Sequence, residues 1–160
     1  MSEIPTLVKR RLQAEVIGPI FAEMAAELGE AKAGEILRRA IEKAAIAEGR
    51  RFAEKAPGGV TSMADFIKLF ELWTTGGALE IEVLRADDTA FDFNVTRCRY
   101  AETYREMGLE KIGPTLSCAR DGTFCQGYDP NISLTREKTI MAGDKCCNFR
   151  YRYGNAPARD

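Results

Sequence analysis

At Ala78 the apolar period of this chain changes from helical spacing to strict alternation, and that switch limits the folds open to it. Before it, Leu7, Leu12, Val16, Ile20, Met24 and Leu28 recur at helical intervals until Gly29. Gly18-Pro19 interrupts the run and predicts a kink or a pair of helices. A second helix is expected over 31–56, with Ile36, Leu37, Ile41, Ala45 and Phe52 on its apolar stripe, ended by Pro57-Gly58-Gly59. Ser62 reads as an N-cap with Asp65 in the first turn of a third helix, whose buried face is Phe66, Leu69, Phe70 and Trp73.

After Ala78, Leu79, Ile81 and Val83 oppose Glu80, Glu82 and Leu84, and Phe91, Phe93 and Val95 repeat the alternation, which predicts an antiparallel hairpin. Helical spacing returns over 97–107 and stops at Gly108. A short helix over 109–116, an irregular segment over 119–131 and a second hairpin of strands 132–141 and 147–153 follow, with a frayed tail from Asn155. The predicted class is α+β: N-terminal helices packed on an antiparallel sheet of two hairpins, with every strand neighbour local and a helix between the hairpins. The 160 residues are read as one domain, 1–160, with a helical half over 1–77 and a site-bearing half over 78–154.

A formal net charge of -1 gives no electrostatic case for nucleic acid or an anionic membrane. The basic runs Lys9-Arg10-Arg11 and Gly49-Arg50-Arg51 sit among glutamates and read as solvated helix faces. No signal-peptide core or membrane-length apolar run is present, so a cytoplasmic location is the expectation, with the cysteines as thiols or metal ligands. The long apolar stripe of the first half offers a surface for homodimerisation.

The chemistry-bearing residues cluster late. Cys98, Cys118, Cys125, Cys146 and Cys147 all follow the first hairpin, and the chain contains no histidine. That removes serine–histidine and cysteine–histidine pairs and histidine-bearing zinc sites. Buried cysteines also pack simply as small hydrophobes. Cys98 stands where a strand hands over to a helix, between Arg97 and Arg99, a setting that favours the thiolate. Cys118 and Asp121 are close enough to converge in a turn, where a carboxylate can orient a substrate N–H or act as a base. Cys118, Cys125, Cys146 and Cys147 are a weak zinc pattern, since no CxxC pair is present. Arg136 and Arg150, on opposite strands of the second hairpin, are candidates to grip a substrate carboxylate.

The pieces VTRCRYAETYREMG, LSCARDGTF, GYDPNISLTREKTIMAGD and CNFRYR resemble the L-2-amino-thiazoline-4-carboxylic acid hydrolase family. The resemblance rests on Cys98 with Arg99 and Tyr100, Cys118 with Asp121, Arg136, and Gly143 leading to Cys147, Phe149 and Arg150. Cys146 and Asn148 stand where many relatives carry histidine and aspartate. The resemblance implies a small-molecule substrate, a carboxylate-bearing cyclic amidine or isothiourea. A thiolate among Cys98, Cys118 and Cys147 would attack its amidine carbon. Asp121 would take the amidine N–H groups, and Arg99, Tyr100, Arg136 and Arg150 would line the binding site. That route requires no cofactor; a divalent metal on the cysteines is the alternative. The chain's ending also resembles small-molecule-sensing domains of the vinyl-reductase type, which implies binding without catalysis.

Overall fold

The computed structural model describes residues 3–154. Among these residues five helices, α1 (Thr6–Leu28), α2 (Glu30–Ala53), α3 (Met63–Thr74), α4 (Arg99–Glu106) and α5 (Ala119–Tyr128), accompany a four-stranded sheet. Its strands are β1 (Leu79–Ala86), β2 (Ala90–Cys98), β3 (Ile132–Thr135) and β4 (Cys147–Tyr153), in the order β1-β2-β4-β3, all antiparallel. The fold is α+β with the helices N-terminal, as the period switch predicts. The tail from Asn155 lies outside the described residues.

One face of the sheet carries Phe91, Phe93, Phe149 and Tyr151, against which α3 sets Phe66 and Phe70. Ser62 caps α3 by accepting the Asp65 N–H, as expected. β2 joins the two hairpins, pairing Phe93 with Phe149 and Val95 with Cys147. That contact is not local in sequence, so the expectation of purely local strand neighbours is corrected.

Four other expectations fail for physical reasons. First, the two-helix alternative at Gly18-Pro19 fails, since α1 is one helix through it. Pro19 and Glu15, the residue whose carbonyl it deprives of a donor, are both exposed, so the lost bond lies on the solvent side of the helix. A Cβ on Gly18 would stand 3.1 Å from Leu109 Cδ2, so glycine here admits that side chain. Second, the buried stripe of α1 is the expected one only in part, at Leu7. Leu12, Val16, Ile20 and Leu28 are exposed, while Leu7, Arg10, Ala14, Ile17 and Phe21 turn inward. Apolar residues are spread round the helix among the charged ones, so spacing alone did not select its inner face. The stripe assigned to homodimerisation faces solvent, and Arg10, expected on a solvated face, is buried.

Third, the segment expected to be irregular is α5, entered through a π-turn at Pro114–Cys118. Gly127, within that segment, is a contact residue: a Cβ there would lie 2.0 Å from Ile46 O of α2. Gly49 of α2 reciprocates, 2.2 Å from Phe124 O by the same construction. Paired glycines let the two backbones touch. Fourth, β3 ends at Thr135 instead of reaching Met141. Asn148 Oδ1 accepts the N–H groups of Glu137 and Lys138, pulling the chain off the ladder and turning Met141 towards the helices.

Candidate functional site

A cavity of about 40 Å³ opens between the sheet, α3, α4 and the start of α5. Three of the five cysteines, Cys98, Cys118 and Cys147, line it, with Tyr100, Asp121 and Arg136. Trp73, Val95 and Phe149 supply its apolar wall. At that volume the cavity has room for a few water molecules.

Local structure places each group. Cys98 ends β2 and caps α4, its sulfur accepting the Ala101 N–H at 3.4 Å. The strand-to-helix junction is therefore where the sequence put it. Cys147 opens β4 and its sulfur accepts the Ile140 N–H at 3.2 Å. The π-turn delivers Cys118 and, one turn on, Asp121 into the same space. Tyr100 donates to Trp73 O and fixes the α3–α4 wall.

Arg136 Nη1 donates to Asp121 Oδ2 at 2.6 Å, its Nη2 donates to Cys118 O at 3.1 Å, and its guanidinium stacks 4.8 Å over Phe149. Only Oδ2 of Asp121 is engaged, and no buried side-chain oxygen among the described residues lacks a partner. Oδ1 is therefore unpaired and not fully enclosed, on a residue that lines the cavity. Burial raises the Asp121 carboxyl above the usual carboxylate range, opposed by Arg136 and, farther off, Arg10 and Arg120.

The expected thiolate at Cys98 is not favoured. Burial pushes Cys98 up to about 11 and Cys118 up to about 12. Arg97 is exposed and spent on Glu102 and Glu80, while Arg99 is exposed and donates to Gly76 O. Neither approaches the sulfur. Cys147 is also raised by burial, opposed by the Ile140 N–H and Arg136.

The structure thus gathers Cys98, Tyr100, Cys118, Asp121, Arg136 and Cys147 and leaves out Arg99 and Arg150. Arg150 points to the other face of the sheet, donating to Phe93 O, Phe149 O and Asn94 Oδ1, so the expected two-arginine fork does not form. Cys146 and Asn148, the departures from the family pattern, are absent from the cavity wall. No three His, Cys, Asp or Glu side chains among the described residues are arranged to hold a metal ion, so the donor set does not fit one. Arg10 and Arg120 reach the cavity from α1 and α5, and sequence reading missed both. Arg10 was detectable, lying between Leu7 and Ala14 on a helical face.

A family model described as L-2-amino-thiazoline-4-carboxylic acid hydrolase matches residues 9–151. The chain belongs to this hydrolase family. Membership extends over the helical half as well, which carried none of the motifs. No curated protein matches the sequence. Among solved structures, the phenol-responsive sensory domain of the transcription activator PoxR with phenol is similar at a TM-score of 0.52 and 15% identity, covering 86% of this chain and 73% of that one. A trafficking protein particle complex subunit 3 from Naegleria fowleri, covalently bound to palmitic acid, is similar at a TM-score of 0.52 and 13% identity, covering 95% and 99%. At these identities the likeness is one of fold. No helix among the described residues is long and apolar enough to cross a membrane.

Proposed function

We propose that the chain binds a small carboxylate-bearing cyclic amidine or isothiourea, of the 2-amino-thiazoline-4-carboxylate class, and hydrolyses its ring. The observation that carries this reading is the open Oδ1 of Asp121 beside three thiols, in one cavity of a chain from this family. An amidine presents two N–H donors on a plane, and a carboxylate with one engaged oxygen is a matched acceptor. Arg136, with its donors on Asp121 and Cys118 O, holds that carboxylate in place.

Cys147 is the nucleophile of choice, since a backbone N–H and Arg136 both favour its ionised form. Its thiol is protonated at rest, so the attack needs a base, and Asp121, raised by burial, is suited to accept the proton. The sulfur adds to the amidine carbon, the ring carbon–sulfur bond breaks, and the proton passes to the departing sulfur. Water then adds to the same carbon, Cys147 leaves as thiol, and a urea-type product is released.

The test is mass-spectrometric detection of ring opening of 2-amino-thiazoline-4-carboxylate, with Cys147→Ser losing about a thousandfold or more in turnover. Unchanged turnover in Cys98→Ser, Cys118→Ser and Cys147→Ser alike would sink the thiol mechanism. The raised thiols favour one other reading, a binding domain without catalysis. Saturable binding of the ring with no product at high protein concentration would establish it.

A further inference from the structure

The polar groups around the cavity do not balance. Arg10, Arg120 and Arg136 face Glu48 and Asp121, three guanidiniums against two carboxylates, across two adjoining pockets. Arg10 and Arg120 are 5% and 7% exposed. Both converge on one oxygen: Arg10 Nη2 donates to Glu48 Oε2 at 3.4 Å, and Arg120 Nη1 lies 3.6 Å from it. Arg10 also donates to Gln13 Oε1 and Arg120 Nε to Leu116 O. Two buried cations sharing one carboxylate oxygen are undercompensated, and an uncompensated buried charge is costly. We infer that Arg10 and Arg120 form an anion subsite, and that they, not Arg136, receive the carboxylate of the ligand.

The geometry supports the division of labour. Arg136 is committed to Asp121, Cys118 O and the Phe149 ring. Arg120 has Nη2 and a long-range Nη1 left over, and no buried side-chain nitrogen among the described residues is orphaned, so these donors keep accessible surface on a residue that lines both pockets. Burial together with Arg10 lowers Arg120 to about 10, which is the effect expected of a cation short of counter-charge. A ligand with its amidine on Asp121 and its carboxylate on Arg10 and Arg120 spans the cavity from the start of α5 to α1.

This inference rests on the proposed ligand class but is read by binding, not by turnover. Thiazolidine-4-carboxylate and its uncharged carboxamide are titrated by calorimetry into the folded wild-type protein and its variants. The carboxylate is expected to bind and the carboxamide to bind at least about tenfold more weakly. Arg120→Met is expected to erase that difference, while Glu48→Gln, which deepens the imbalance, tightens carboxylate binding severalfold. Equal binding of both probes to wild type would overturn the subsite. So would retention of the difference in Arg120→Met together with its loss in Arg136→Gln. If Arg120→Met proves unfolded, Glu48→Gln alone decides, since unchanged carboxylate affinity there also overturns it. Arg120-dependent binding without ring opening would uphold the subsite and reject the hydrolase reading. Ring opening with KM indifferent to Arg120→Met would do the reverse.

Discussion

Arg136–Asp121 and Arg152–Asp92 are the same pair of residue types at nearly the same burial, with side chains 14% and 18% exposed in the first and 16% and 12% in the second. They differ in closure. On the sheet face turned away from α3, Arg152 grips both oxygens of Asp92 and also donates to Tyr151 O. In the cavity, Arg136 takes one oxygen of Asp121 and leaves the other open beside the thiols. A two-point pair has nothing left to offer a ligand. Burial of an ion pair is therefore a poor marker of a site, and an unspent acceptor is a better one.

The comparison holds only while α5 keeps its place, and the most damaging way to break it is Gly127→Ala. The added Cβ meets the α2 backbone, which cannot yield as a side-chain tip would. We expect a loss of about 3 kcal/mol, a fall in Tm of roughly 10 °C, measured by thermal unfolding. An unchanged Tm would show that the helices can separate at no cost. The sharper test exchanges one oxygen in each pair. Asp121→Asn should lower kcat/KM for the ring substrate by about a hundredfold, whereas Asp92→Asn should cost about 2 kcal/mol of stability and leave kcat/KM within about twofold. Comparable activity losses in both would erase the distinction between closed and open pairs.

The fold was legible wherever one periodicity dominated. Phe91, Phe93 and Val95 alternate against polar neighbours, so the inward face of β2 followed directly, whereas its pairing with β4 did not. The Ser62 cap and the Cys98 junction were readable because a cap is a local signal. α1 was not, because Val8, Leu12, Val16 and Ile20 compete with Leu7, Ala14, Ile17 and Phe21 for the inner face. That choice depends on what α2 and α3 present, which one segment's spacing cannot hold. α5 was lost because a glycine that permits helix contact is indistinguishable in sequence from one that ends a helix. The candidate site was half legible: Cys98, Cys118, Asp121, Arg136 and Cys147 were singled out and line one cavity, but Arg10 was read as part of a solvated face and Arg120 drew no reading. Their meaning lies in sharing Glu48, a contact set by three helices at once.

Cys125 allows a finer separation, since it is as buried as the cavity thiols yet is not part of the cavity wall. Its sulfur donates to Asp121 O within α5, and burial pushes it from an ordinary value of 9.0 up to about 12. The folded protein therefore holds this proton more tightly than the unfolded chain does. Below pH 9 both states keep it, and its contribution to stability is intact. Between pH 9 and 12 the unfolded chain sheds it and the folded one does not, so stability falls by up to about 1.4 kcal/mol per pH unit for each such thiol. Cys125→Ala should cost about 1 kcal/mol at neutral pH through the small void it leaves. It should also flatten the fall of unfolding free energy above pH 9 by the share of one thiol, and leave ring-opening turnover unchanged. Turnover lost with Cys125 would move the chemistry off the cavity face of α5. An alkaline slope the same as wild type would mean that the buried thiol ionises as readily in the fold as in the open chain.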